Sequence, residues 1–225
     1  MAIQIYGIPL SVAVRRALVV FKELEVPYDL VTVDIIKGEQ KSDKALKNQP
    51  FGKIPYLHDS DNDLTLFESR AIARYIVGKY DKSGKSGLLP TDEVDAARFE
   101  QAVSIEVTAF NPPANGVANE LVFKPVLYKK ETDQAKLVEA LASLNDTLNV
   151  YETILSKQKY LAGEYLTLAD LFHLPLGTVL TDMAKLNVLT TDKRPSVQRW
   201  WKDISSRPSW LVVKADTTPL VFTTE

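Results

Sequence analysis

The chain has 225 residues, 45% of them hydrophobic, enough to bury one large or two small cores. Its 27 basic and 29 acidic residues are interspersed with a net charge of -2, which announces no basic face for nucleic acid, and no apolar run reaches membrane-span length. The absence of cysteine excludes disulfides, thiolate metal sites and a protein thiol nucleophile, and His58 and His173, far apart in sequence, compose no metal centre.

In chain order, Ile3-Gln4-Ile5-Tyr6 alternates as a strand and Gly7-Ile8-Pro9-Leu10 reads as a turn. Val14, Ala17, Leu18, Phe21 and Leu24 recur at three and four residues, so Val12 to Glu25 is expected to be helical with one buried face. Tyr28 to Asp34 is the next strand, which completes a βαβ unit with parallel strands. An irregular stretch from Lys37 to Asn48 leads to a strand opened by Pro55, where a missing N–H is tolerated. The turn-rich Asp59 to Asp63 joins it to Leu64 to Phe67, and a helix over Glu68 to Tyr80 follows. This β-α-β, β-β-α order is that of a thioredoxin-like domain, placed at 1–82.

The polar stretch 83–91, with Gly84, Gly87 and Pro90, reads as a linker, and 92–225 as an all-helical bundle domain. Val94 to Phe110 has helical spacing until Pro112-Pro113 stops or kinks it, and Asn119 to Lys130 resumes it. Gln134 to Lys157 carries Val138, Leu141, Leu144, Leu148, Tyr151 and Leu155 on one stripe. Thr167 is an N-cap with Asp170 at the third helical position, opening a helix to about Leu186. Pro195 starts a helix through Val197, Trp200, Trp201 and Ile204, and Pro208 ends it.

Two stretches carry chemistry, Pro50-Phe51-Gly52-Lys53-Ile54-Pro55-Tyr56-Leu57 and Phe67-Glu68-Ser69-Arg70-Ala71-Ile72. A cis bond between Ile54 and Pro55, which sequence cannot reveal, would turn the Ile54 N–H and C=O outward to meet a ligand's peptide backbone. Glu68 and Ser69 stand at a helix start, where unpaired N–H groups and the helix dipole favour a carboxylate. Together they suggest a site for a small peptide with a free carboxylate.

The chain resembles a glutathione transferase over nearly its whole length. The resemblance rests on Tyr6 to Ser11 with Arg15-Arg16, on Pro50 to Pro55, on Leu66 to Ile72, and on Tyr160-Leu161-Ala162-Gly163-Glu164 before Thr167 to Asp170. The serine after the first strand, the Lys37-Gly38-Glu39-Gln40-Lys41 stretch and the Phe-Glu-Ser-Arg-Ala-Ile helix start are most similar to the phi class. Gln40 and Lys53 depart from the family's usual His and Gln, at positions that usually touch the glycine end of glutathione.

The resemblance implies a transferase that uses glutathione as co-substrate and no other cofactor. A free thiol with a pKa near ~8.5 is mostly protonated at neutral pH, so the protein must favour the thiolate. Ser11 is the implied donor to the sulfur; the other reading of Ser11 is a plain N-cap. Lowering a thiol pKa by about two units takes about 2.7 kcal/mol, within reach of one such bond plus a helix N-terminus.

Glu68 and Ser69 would hold the γ-glutamyl ammonium and carboxylate, and the main chain of Ile54 beside Pro55 the cysteinyl unit. Gln40, Lys41 and Lys53 are candidates for the glycine carboxylate. Val12, Ile35 and Phe110 are candidates for an apolar electrophile lying between the domains. Arg15 and Arg16 read as structural, one of them pairing with an acid across the domain boundary.

An exposed aromatic at Phe51, which in phi relatives inserts into the partner subunit, implies a homodimer. No membrane or nucleic-acid partner is expected, and the location expected is the cytoplasm, since the N-terminus lacks a signal-peptide pattern. The activity implied is conjugation of glutathione to apolar electrophiles, with reduction of organic hydroperoxides by the same thiolate. The competing readings are a ligandin that carries apolar compounds with little turnover and a scaffold protein that has kept the fold. Retention of Ser11 speaks for the enzyme, because a carrier has no use for a thiol activator.

Overall fold

The computed structural model describes residues 2–216. The last part of the expected helical domain, 217–225, lies outside the described residues. Among the described residues two compact units are present, one made of 2–82 together with 208–216, the other of Ser83–Arg207.

In the first unit β1 (Ile3–Gly7) leads through a turn to α1 (Val12–Glu23) and back to β2 (Asp29–Thr32), parallel to β1. β3 (Tyr56–Asp59) and β4 (Leu64–Phe67) add antiparallel strands in the order β2-β1-β3-β4, and α3 (Ser69–Tyr80) closes the unit against α1. This is a thioredoxin-like domain. Alternation along β1 sends Ile3 and Ile5 into a core with Leu57, Leu18, Phe21, Ile72 and Ile76. The stretch expected to be irregular after Lys37 holds a short helix, α2 (Asp43–Asn48), whose first turn is capped by Ser42 Oγ accepting from Ala45 N–H at 3.2 Å.

The second unit is helical. α4 (Glu93–Ile105) and α5 (Asn111–Ala118) are joined by a π segment, Glu106–Phe110, and a second π segment, Asn119–Leu127, extends α5. Pro112-Pro113 therefore does not stop the helix. The turns beside these prolines and around Pro125 widen, which absorbs the missing donors and the ring clash without ending the rod. α6 (Gln134–Leu155), α7 (Leu168–Leu171), α8 (Leu174–Thr178) with a π extension, and α9 (Pro195–Ser205) complete the unit. The stripe on α6 starts at Leu137 rather than Val138, which is 65% exposed.

Two boundaries differ from expectation. The stretch 83–91 is tied to the helical unit, since Leu88 is buried and its carbonyl accepts from Leu168 N–H at 3.1 Å. At the other end Pro208 both ends α9 and opens α10 (Pro208–Ala215), which packs on α1. Trp210 is buried there, and Ser209 Oγ–H donates to the Glu23 carboxylate. The expected helical domain 92–225 thus gives up α10 to the first unit.

Arg15 explains part of that docking. Its guanidinium donates to the carbonyls of Pro9 at 2.8 Å, Lys214 at 3.4 Å and Asp216 at 3.1 Å, so a cation satisfies the last carbonyls of α10. These contacts of Arg15 stay within one unit.

Candidate functional site

Strand register gathers the candidates. In β1 and β3 Tyr6 lies opposite Tyr56, in β3 and β4 Tyr56 lies opposite Phe67, and β2 ends with Thr32 beside Gly7. The segments that leave β1, β2 and β4 and the one that enters β3 thus emerge at the same end of the sheet. Ser11 and Val12, Ile35 to Lys41, Lys53 to Pro55, and Glu68-Ser69 all sit on those segments.

Ser11 is the N-cap of α1, with extended backbone at φ -69° and ψ 128°. Its Oγ accepts from Val14 N–H at 3.4 Å, a long capping bond, and the residue is half-buried. A hydroxyl that accepts from the chain still has its own hydrogen to give, and among the described residues no group takes it. The cap and the donor roles are therefore compatible.

At the start of α3, Glu68 has φ 70° and ψ 110°, a region that non-glycine residues rarely occupy, and it is exposed with no side-chain capping bond. Such a conformation keeps the carboxylate off its own helix, where it would compete for the N–H groups that suit a ligand's carboxylate. Ser69 follows at the first helical position, 5% exposed, and its Oγ accepts from Arg16 Nη1–H at 3.1 Å. This contact between residues 53 apart was not visible in the sequence, where Arg16 read only as structural. A buried arginine among the apolar positions of α1 is the one signal that could have flagged it.

Ile54 is half-buried, its bond to Pro55 is cis, and among the described residues its main chain makes no hydrogen bond. Gly52 has φ 61°, and a Cβ there would stand 3.3 Å from Lys41 Cγ and 3.5 Å from the Gln40 carbonyl, so the loop carrying Lys53 lies against Gln40-Lys41. Lys41 and Lys53 are both exposed. Gln40 Nε2 donates to the Ile35 carbonyl at 3.4 Å, and Oε1 is buried without a partner. The opposite amide orientation would set two oxygens face to face, and an unpaired acceptor repels a carboxylate. Gln40 so oriented braces the loop, and the two lysines are the cations on it.

Val12 and Ile35 are half-buried at this same end of the sheet. Phe110 is corrected. It is 0% exposed in the core of the helical unit, with His173 at 4.5 Å and Tyr151 at 6.1 Å between ring centroids. Helical spacing identified an apolar position without saying which face of the rod it occupied, and this face is the interior.

His173 in that core donates Nδ1–H to the Ala169 carbonyl at 2.8 Å, since a carbonyl only accepts, and in the neutral ring Nε2 accepts from the Tyr151 hydroxyl at 2.9 Å. Burial holds the Tyr151 hydroxyl well above its ordinary pKa, so it stays a donor. His58 faces Thr65 Oγ1 at 3.4 Å. Among the described residues no cluster of three or more His, Asp or Glu could hold a metal ion, and no helix is long and apolar enough to cross a membrane.

A thioredoxin-like domain with a serine at the first helix cap, a cis-proline loop and an acid–serine helix start, joined to a helical unit, is the architecture of the glutathione transferases. Residues 1–78 match the glutathione S-transferase N-terminal domain and residues 111–208 the glutathione S-transferase C-terminal domain. Glutathione S-transferase hmp2 of Hypomyces subiculosus is 40% identical over 96% of this chain and 99% of its own length. Glutathione transferase F2 of Populus trichocarpa superposes with a TM-score of 0.88 at 38% identity, covering 94% of this chain and 97% of that one. Glutathione S-transferase I from maize, solved with an atrazine glutathione conjugate, gives a TM-score of 0.86 at 32% identity over 96% and 97% of the two chains. The chain belongs to the glutathione S-transferase family. Within it the similarity runs to the plant phi, or F-type, transferases.

Proposed function

We propose that this transferase binds glutathione at the end of the sheet where the four segments meet and presents its thiolate to apolar electrophiles. The observation that carries the reading is Ser11: its oxygen is occupied by Val14 N–H, so its hydroxyl hydrogen is the group left to donate to the sulfur. Donation to an anion is stronger than donation to a thiol, and the N-terminus of α1 adds a field of the same sign, so the thiolate is favoured without a base on the protein.

Glu68 takes the γ-glutamyl ammonium, Ser69 and the α3 N-terminus take its carboxylate, and the Ile54 main chain pairs with the cysteinyl unit beside Pro55. Lys41 and Lys53 take the glycine carboxylate, and Val12 and Ile35 offer apolar surface to the electrophile. The same thiolate reduces organic hydroperoxides, two glutathiones supplying the two electrons and leaving as the disulfide. The carrier alternative finds no support among the relatives, which are transferases by name.

The test is the steady-state rate of glutathione conjugation to an activated aryl halide, with Ser11→Ala in parallel. The expected outcome is turnover by the wild type and a loss of about a hundredfold or more in the variant, with glutathione binding retained. A wild type that binds glutathione and apolar dyes without turnover would make Ser11 a helix cap and the protein a carrier.

The protein acts as a homodimer in the cytoplasm, where glutathione is kept reduced. Phe51, 68% exposed on the cis-proline loop, supports the dimer, because an aromatic ring so placed is better buried against a second copy. Sedimentation of wild type and Phe51→Ala should show a dimer that weakens on substitution; a monomeric wild type would refute it.

A further inference from the structure

Ser69 is nearly buried, yet its hydroxyl is used only as an acceptor. Arg16, itself 4% exposed on α1, donates Nη1–H to Ser69 Oγ at 3.1 Å. A guanidinium has donors only, so the serine must accept in this bond and cannot direct its own hydrogen toward Arg16. Among the described residues no acceptor takes that hydrogen. A buried hydroxyl left as an unspent donor is costly unless something supplies an acceptor.

Geometry narrows what that acceptor is. Ser69 is the first residue of α3, a helix of twelve residues, so its hydroxyl sits at the positive end of the helix dipole. An unspent donor and a helix N-terminus both favour an anion. Glu68, preceding it with its carboxylate displaced by the φ of 70°, adds an acceptor for a cation close by.

We propose that Arg16 is a positioning residue for glutathione: by occupying Ser69 Oγ as its donor, it fixes the serine hydroxyl as a donor to the γ-glutamyl carboxylate. This rests on the placement of the γ-glutamyl end at Glu68-Ser69 proposed above and goes beyond it. Arg16 is too deeply buried to be a direct ligand, so its effect passes through the serine and depends on the ligand's carboxylate being present.

Two thiols read this out: glutathione, and the analogue 4-aminobutyryl-cysteinyl-glycine, which keeps the ammonium and lacks the γ-glutamyl carboxylate. KM for each thiol and kcat are measured for wild type, Arg16→Met, Ser69→Ala and the double variant, with circular dichroism to establish folding. The wild type should prefer glutathione by about tenfold or more, the range of a hydrogen bond to a charged group. Arg16→Met should raise KM for glutathione by a similar factor, leave KM for the analogue nearly unchanged and alter kcat little, and the double variant should be no worse than Ser69→Ala.

Equal losses toward both thiols, or penalties that multiply in the double variant, would overturn the positioning role and make Arg16 a structural residue. A wild type indifferent to the missing carboxylate would instead overturn the placement of the γ-glutamyl end itself. If Arg16→Met does not fold, Arg16→Lys takes its place. Its shorter, single-headed ammonium reaches Ser69 less well, so the preference for glutathione should fall at least threefold, and an unchanged preference refutes the proposal.

Discussion

Replacing Asp170 by alanine should destabilise the helical unit more than most single substitutions do, and the size follows from what its carboxylate accepts. Asp170 is 0% exposed. One oxygen accepts from Leu161 N–H and Trp200 Nε1–H, both at 3.0 Å, and the other from Thr167 N–H at 3.0 Å and Thr167 Oγ–H at 3.2 Å. It therefore closes the capping box of α7, ties down the preceding loop and anchors α9 at once. Burial raises the Asp170 pKa above the ordinary carboxylate value, although these bonds pull the other way.

Alanine would leave two main-chain N–H groups and an indole N–H without acceptors in a dry core, at about 1–3 kcal/mol each. Relief from burying a carboxylate, and any entering water, offset part of this, so the net loss should be about 3 kcal/mol or more, against a typical total of about 5–15 kcal/mol. Asp170→Asn keeps one oxygen for Leu161 and Trp200 and orphans only Thr167 N–H, for about 1–3 kcal/mol. Thr167→Val loses the hydroxyl cap on Ala169 N–H and the hydroxyl donor to Asp170, for about 1–3 kcal/mol. Urea unfolding followed by far-ultraviolet circular dichroism measures all three, and with a slope of about 3 kcal/mol/M the alanine variant's midpoint should fall by about 1 M or more. An alanine variant within about 1 kcal/mol of wild type would refute the accounting, and so would an asparagine variant as damaged as the alanine one.

Gly177→Ala should lower the melting temperature, because the added Cβ would stand 2.4 and 2.5 Å from Trp201 ring carbons and 3.1 Å from Leu189 Cδ1. Overpacking of this kind costs about 1–3 kcal/mol, or about 2–4 °C per kcal/mol in a chain of this size, and an unchanged melting temperature would refute it. In the first unit burial would raise the Asp59 pKa, but Lys79 Nζ at 2.5 Å, the Tyr75 hydroxyl and Asp61 N–H together hold it below the ordinary 3.8. A lowered folded pKa means that this stabilisation is present above pH 3.8 and is lost as pH falls through the lower value. Lys79→Met should therefore cost more than about 1 kcal/mol at pH 7, and the difference from wild type should shrink in acid; a pH-independent difference would contradict this.

The readings that held were those where local backbone chemistry dictates residue type. Pro55 at a strand start, Thr167 with Asp170 three residues on, and Pro195 opening a helix are each demanded by the donors and acceptors of their own segment. The misreadings all needed knowledge of what packs against what. Pro112-Pro113 signals a stop or kink, and only the packed structure shows that widened turns carry the helix past it. Phe110 and Val138 had the right spacing on faces the sequence could not orient.

The site hydroxyls show the same division more sharply. A serine is ambiguous in sequence because it both donates and accepts, and the resemblance can place it near a ligand without saying which it does. The fold resolves the ambiguity by what it docks on the oxygen: Val14 N–H on Ser11, from within the same helix, and Arg16 on Ser69, from a different one. The first is a capping contact legible three residues away. The second exists only because α1 packs on α3. Each leaves one hydrogen to give, and a thiolate and a carboxylate are two acceptors carried by one tripeptide. At the proposed glutathione site the donor character of both hydroxyls would thus be set by groups behind them, and on that reading substitutions behind the site should alter glutathione recognition as well as those that face it.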